Sequence, residues 1–102
     1  MMKAFCFKHI LNFHNLSGTS RGFLKEKESW FIVVFSGDKM GIGECSLIKG
    51  LSPDPEKNFE QTLKKVCENI SAGYDVLSAK LNYYPSILFG LETAFRSFES
   101  SN

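Results

Sequence analysis

The hydrophobic pattern of the first half of the chain alternates with a period of two. Phe5, Phe7, Leu11 and Phe13 fall on one face of the opening segment, and His9 falls on the same face. This spacing predicts a β-strand over about residues 4–13 with that face buried. The stretch that follows is dense in glycine, serine and asparagine, which predicts a loop.

Two further strands are predicted from an apolar run and a turn. The run Trp30–Phe35 is rich in aromatic and β-branched side chains, which predicts a strand over about 28–36. Such a strand is covered on both faces, or its outer face is covered by something beyond the sheet. A short turn containing Gly37 leads into a third strand over about 40–47, so the first half is predicted to be a three-stranded antiparallel meander.

Three glycines lie inside the predicted elements. Gly41 and Gly43 weaken the third strand unless another backbone or side chain comes close to it. Gly90 costs the last helix up to ~1 kcal/mol relative to alanine. We therefore predict close packing at these positions.

The second half changes to helical periodicity. Prolines, cap-type side chains and an early acid at 52–56 predict the start of a helix over about 54–71, and a short helical segment is predicted within 75–82. Pro85 opens a last helix over about 85–100. The predicted fold class is α+β, with two to three helices packed on one face of the meander.

Length and composition limit the classes of protein. The chain has 102 residues, 43% apolar and ten of them phenylalanine, which suits one domain with a real core and excludes disorder. The formal net charge is +1 with no basic stripe, so we expect no nucleic-acid partner and no anionic membrane partner. We also expect no membrane-spanning segment, because no apolar run approaches the ~20 residues that crossing a bilayer requires.

Cysteine usage bears on the cellular compartment. Cys6, Cys45 and Cys67 are odd in number and widely spaced, which does not fit a disulfide framework or a zinc site. The N-terminus is broken by charge and lacks the apolar core of a signal peptide. We therefore expect reduced structural thiols in a cytoplasmic protein.

Few residues outside the predicted loops are candidates for a catalytic or metal-binding role. The pair Lys25 and Lys27 has the spacing of two ammonium groups on one strand face, but the acidic neighbours indicate a solvated strand entrance. His9 is expected to be a core or rim histidine. No carboxylate cluster has metal-site spacing, so we expect no metal site, and neither Gly-x-Ser-x-Gly nor Cys/His catalytic spacing is present. A further interpretation is a small enzyme that uses Cys45 or His9 in catalysis, although no partner base for either residue is visible in the sequence.

Two predicted loops are better candidates for contact with a ligand. Thr19, Ser20 and Arg21 present two hydroxyls and a guanidinium between glycines, an arrangement suited to holding a carboxylate. The second loop offers a compact turn with an apolar tip, at Gly50, Leu51 and Ser52. From composition alone, each is a surface loop that could contact a ligand.

Several motifs occur in the order found in one enzyme family. The Gly-Thr-Ser-Arg-Gly loop at 18–22, Gly-Ile-Gly-Glu-Cys-Ser at 41–46 and Gly-Leu-Ser at 50–52 resemble the opening of the o-succinylbenzoate synthases. These belong to the muconate-lactonizing subgroup of the enolase superfamily. The segment 85–94 resembles the last helix of the N-terminal capping domain of that superfamily.

The resemblance implies a capping domain over residues 1–102, packed on a C-terminal (β/α) barrel that is not in this chain. Thr19, Ser20 and Arg21 would belong to the first specificity loop, and Gly50, Leu51 and Ser52 to the second. The family removes a proton next to a carboxylate and then loses water, giving o-succinylbenzoate for menaquinone. The lysine base and the ligands of Mg²⁺ lie in the barrel, so the fragment alone would be inactive and would bind no metal.

Other interpretations remain open from the sequence. The chain could cap another enzyme of the subgroup, such as a dipeptide epimerase or a lactonizing enzyme, or it could be an independent α+β binding module. A cap separated from its barrel would expose apolar surface, so the resemblance also predicts that the fragment self-associates. The expected ligand is a small carboxylate.

Overall fold

The computed structural model describes residues 1–12, 26–47 and 57–101, and the fold is an antiparallel sheet followed by helices. The predicted fold class is confirmed. The strands form one sheet in the order β1-β2-β3. The elements are β1 (Lys3–Asn12), β2 (Glu26–Ser36), β3 (Lys39–Leu47), α1 (Phe59–Glu68), a 3₁₀ turn (Ile70–Ala72), α2 (Tyr74–Ser78) and α3 (Pro85–Ser100).

One face of the sheet, the inner face, packs against the helices. Trp30, Ile32 and Val34 of β2 point into the core from this face, and Cys45 of β3 joins them. The helices contribute apolar side chains at helical spacing, which is the stripe that the periodicity predicts. The buried helical residues are Phe59, Leu63, Val66, Cys67, Ile70, Leu77, Ile87, Leu91, Ala94 and Phe98.

The opposite face, the outer face, carries large apolar side chains that no described helix covers. Phe5 is 49% exposed and Phe7 is 44% exposed, so the prediction that their face of β1 is buried was wrong. Ala4 and Cys6, on the other side of β1, pack against the core instead. The outer face consists of Phe5, Phe7, Phe31, Val33, Phe35, Met40 and Ile42.

The first helix begins later than its sequence signals predict. Residues 54–56 lie outside the described residues, and Lys57 and Asn58 form a turn. Asn58 has φ 67° and ψ 8°, in the left-handed region, so regular helix cannot run through it. α1 therefore starts at Phe59.

The glycines of β3 allow α3 to lie directly on the sheet, as predicted. A Cβ atom on Gly41 would overlap the backbone of Ala94 and Phe98, and one on Gly90 would overlap the Cys45 sulfur. Ser97 of α3 and Ser101, the residue after α3, accept hydrogen bonds from two amides on the free edge of β3. The amide of Ile42 donates to Ser97 Oγ (3.1 Å), and the amide of Met40 donates to Ser101 Oγ (3.3 Å).

Candidate functional site

Both candidate loops leave the sheet at the same end. Asn12, the last residue of β1, lies opposite Glu26, the first residue of β2. Glu28 of β2 lies opposite Leu47, the last residue of β3. The segment 13–25 and the segment after Leu47 therefore start within two residues of each other along β2. We call this the loop-bearing end of the sheet.

The six predicted site residues lie outside the described residues. Thr19, Ser20 and Arg21 belong to the segment between β1 and β2, and Gly50, Leu51 and Ser52 to the segment between β3 and α1. Only the strand ends from which these segments depart are described. Their assignment to ligand binding stays a prediction.

The inner face beneath the loop-bearing end is aromatic. The ring of Trp30 lies 6.3 Å from that of Phe59, and the Phe59 ring lies 6.4 Å from that of Tyr84, all measured between centroids. Lys8 Nζ lies 5.4 Å from the Trp30 ring centroid, within the range of a cation–π contact. These contacts attach the start of α1 to β2, and Trp30 in turn contacts β1 through Lys8.

The Trp30 indole has a donor without a partner among the described residues. Its Nε1 is buried and makes no hydrogen bond within that part of the chain. An indole N–H inside a protein usually donates to an acceptor. Sequence reasoning placed Trp30 in a buried strand but did not identify this donor, since a periodic pattern does not say where the indole nitrogen points.

A shallow cavity of about 310 Å³ lies between β3 and the start of α3. It is lined by Glu44, Ser46, Pro85, Ser86 and Phe89. Ser46 Oγ donates to Glu44 Oε2 at 3.3 Å, so the carboxylate of the Gly-x-Gly-Glu motif is held locally. Gly41 and Gly43 face α3, whereas Glu44 faces the opposite way. The two glycines therefore allow close packing of the helix and do not form a phosphate-binding loop.

The cysteines are structural thiols. All three are free, with Cys45 and Cys67 buried and Cys6 partly buried. Burial raises the pKa of Cys67 well above its usual value, and the adjacent Cys6 raises it further. Burial also raises the pKa of Cys6, although its hydrogen bond with Cys67 partly offsets this effect. Thiols held in the neutral form are poor nucleophiles, which argues against a catalytic role.

The described residues contain neither a cluster of metal ligands nor a membrane-spanning helix. Within 1–12, 26–47 and 57–101, no group of three or more histidine, cysteine, aspartate or glutamate side chains could hold a metal ion. His9 is exposed on the outer side of β1, which makes it a rim histidine. In the same part of the chain, no helix is long and apolar enough to cross a bilayer.

Known proteins resemble both the sequence and the fold. A stretch of 62 residues, 61% of this chain, is 40% identical to o-succinylbenzoate synthase from Desulfotalea psychrophila. The crystal structure of MenC from the same organism matches 98% of the chain with a TM-score of 0.73 at 21% identity. This chain therefore resembles an o-succinylbenzoate synthase in sequence and shares the fold of MenC.

The match covers only part of each relative. The aligned stretch is 17% of the synthase sequence, and the chain spans 35% of the MenC structure. No protein-family model matches the chain. The capping-domain resemblance that the motifs predicted is confirmed, and the synthase is favoured over the other enzymes of the subgroup.

Proposed function

We propose that this chain is the substrate-gating domain of an enzyme that makes o-succinylbenzoate. The observation that carries the proposal is the common origin of the two candidate loops at the loop-bearing end of the sheet. Loops that start side by side can close together over one ligand. The 40% identity to an o-succinylbenzoate synthase supports the choice of reaction.

Each loop has a proposed part in binding. The Arg21 guanidinium pairs with a carboxylate of the substrate, and Thr19 and Ser20 supply neutral hydrogen bonds. The turn that the sequence predicts at Gly50, Leu51 and Ser52 has the part of an apolar tip that excludes water from the bound ligand. The loops therefore bind and enclose the substrate, and the chemical steps take place elsewhere.

The proposed partner is a C-terminal (β/α) barrel in the same polypeptide. In such barrels the reacting groups stand at the carboxyl ends of the strands, where loops of a neighbouring domain can cover them. The described residues offer no set of ligands for Mg²⁺, and we assign the metal to that barrel. The 102-residue chain alone is then expected to be inactive. The three free thiols suit the proposed cytoplasmic location, because disulfides are rare there.

The test is made on the product of the complete reading frame. Its translation is expected to continue past Asn102 into a barrel with a Lys-x-Lys pair and spaced acidic residues. The purified protein is then expected to form o-succinylbenzoate by loss of water from its precursor in the presence of Mg²⁺ and to lose activity with a chelator. A reading frame without a barrel, or a barrel enzyme that epimerises dipeptides instead, would contradict the proposal.

A further inference from the structure

Two cysteines from different elements are in direct contact. Cys6 belongs to β1 and Cys67 to α1, and their side chains share a hydrogen bond. Because α1 packs on β1, the contact joins two regular elements that are far apart in the sequence. A disulfide bond is about 2 Å long, and two sulfur atoms in contact reach that distance when their side chains rotate. The two thiols can therefore join without unfolding of the chain.

The two thiols differ in their access to solvent. Cys67 is 7% exposed and belongs to the core, whereas Cys6 is only partly buried. A small reagent in solution therefore meets Cys6 first. Cys67 is placed behind it, in contact with the sulfur atom that has reacted.

The shared hydrogen bond distinguishes the two thiols chemically. Burial raises the pKa of both, but the hydrogen bond acts to lower the pKa of Cys6 and to raise that of Cys67. The Cys67 thiol therefore donates and the Cys6 sulfur accepts. The Lys64 ammonium also favours the Cys6 thiolate, although Glu60, which pairs with Lys64 at 2.9 Å, opposes it. The reactive thiolate thus forms more readily at Cys6 than at Cys67.

We propose that Cys6 and Cys67 form a thiol–disulfide exchange site, at which a small disulfide oxidises the pair to a reversible cross-link between β1 and α1. The Cys6 thiolate attacks one sulfur of the small disulfide and expels one thiolate, which leaves a mixed disulfide on Cys6. The Cys67 sulfur then attacks Cys6 Sγ and expels the second thiolate. Each expelled thiolate takes up the proton of the cysteine that replaced it. Two protein thiols are oxidised to one disulfide, and the small disulfide is reduced to two thiols.

The cross-link would join the two elements that border the candidate loops. β1 leads into the first candidate loop, and α1 follows the second. In a reducing compartment such a disulfide is transient, and its formation reports oxidising conditions. The inference rests on the contact between Cys6 and Cys67 and does not depend on the enzymatic activity proposed above.

Cys45 is the competing partner for Cys67. It is close enough to Cys67 to raise its pKa. However, Cys45 is fully buried, and its sulfur lies against Gly90 of α3. A small disulfide does not reach it in the folded chain, so a bond that contains Cys45 is expected only after unfolding.

The test maps the cysteines after exposure of the reduced product of the complete reading frame to oxidised glutathione without denaturant. The remaining thiols are blocked, and the protein is digested with trypsin. Cleavage after lysine and arginine places Cys6, Cys45 and Cys67 in separate peptides, 4–8, 40–49 and 66–80. Mass spectrometry is expected to show peptides 4–8 and 66–80 linked, at least ~10-fold more abundant than any pair that contains 40–49, because only Cys6 and Cys67 start in contact with Cys6 accessible. Dithiothreitol is expected to release them.

Two variants test the order of the steps. Cys67→Ser is expected to stop at the mixed disulfide with glutathione on Cys6, and Cys6→Ser is expected to leave Cys67 unmodified. Cys45→Ala is the control and is expected to form the same linked pair as the natural protein. Circular dichroism checks that each variant is folded, and the peptide map of the natural protein decides if one is not.

Three results would overturn the proposal. The first is a natural protein in which Cys6 stays unmodified or accumulates only the mixed disulfide. The second is a linked pair that contains Cys45. The third is a link between Cys6 and Cys67 that forms only in denaturant.

Discussion

Gly43 of β3 and Gly90 of α3 lie backbone to backbone. A Cβ atom added to Gly43 would overlap the carbonyl oxygen of Gly90 and the amide nitrogen of Ala94. Backbone atoms of a packed helix cannot move aside as a flexible side chain can. The contact therefore requires glycine at position 43, and it sets the distance at which α3 lies on the sheet.

Gly43→Ala is expected to destabilise the domain by about 3 kcal/mol or more, at the upper end of the range for overpacking. Urea unfolding followed by circular dichroism measures the loss. The matched control is Gly37→Asn, because Gly37 has φ 60° with nothing near its Cβ position, and asparagine tolerates that conformation. Equal stability of Gly43→Ala and the natural chain would refute the close approach.

Asn58 is expected to matter for its backbone and not for its side chain. It precedes α1 in the left-handed region with φ 67° and makes no side-chain capping hydrogen bond. Asn58→Gly is therefore expected to leave stability within ~0.5 kcal/mol, and Asn58→Ala to lower it by about 1 kcal/mol. Urea unfolding midpoints of the two variants test this prediction. If Asn58→Ala is as stable as Asn58→Gly, residue 58 does not have a left-handed backbone in solution.

Alkaline pH is expected to destabilise the domain through Cys67. Its folded-state pKa lies above the unfolded value of about 8.5, so the unfolded chain releases its thiol proton first as pH rises. The contribution of this thiol to the free energy of unfolding is fully present below pH ~8. Above that pH it falls by at most ~1.4 kcal/mol per pH unit. Urea midpoints at increasing pH are expected to fall less steeply in Cys67→Ala than in the natural chain; parallel curves would exclude Cys67 as the cause.

Thiol reactivity gives an independent check on the same environment. In the folded chain at neutral pH, Cys45 and Cys67 are expected to resist alkylation, because both are buried. Mass spectrometry after brief treatment is expected to show at most one modified cysteine, and three after unfolding in denaturant. Rapid labelling of Cys67 in the folded state would show that α1 does not pack against β1 as described.

Arg21→Ala in the complete enzyme is expected to raise KM by roughly ten-fold or more with a smaller change in kcat, because a charge-assisted hydrogen bond to a carboxylate is lost. Arg21→Lys keeps the positive charge but loses the planar guanidinium that can form two hydrogen bonds to a carboxylate. Its KM is expected to be intermediate. Arg96→Ala is the control, since Arg96 pairs with Glu92 on the surface of α3. Unchanged kinetics of Arg21→Ala would remove Arg21 from the binding site.

The order of strands and helices could be predicted because each element has a strong local signal. The run Trp30–Phe35 and the turn at Gly37 predict β2 and β3, and Pro85 stands at the start of α3 as expected. The start of α1 could not be placed, because the prolines and acid at 52–56 are typical of a helix start while the left-handed backbone of Asn58 has no comparable local signal. The candidate loops were found by motif, and the strand register shows that their ends are neighbours.

The sequence by itself determined the alternation of the strands, the helical stripes and the motifs that relate the chain to o-succinylbenzoate synthases. It did not determine which face of the sheet is buried, because both faces of β1 and β2 carry apolar residues. Tertiary packing made that choice: α3 must approach the backbone closely, so the helices cover the face with Gly41 and Gly43. The strand register places Ala4 and Cys6 on the same inner face and leaves the phenylalanines of β1 outside.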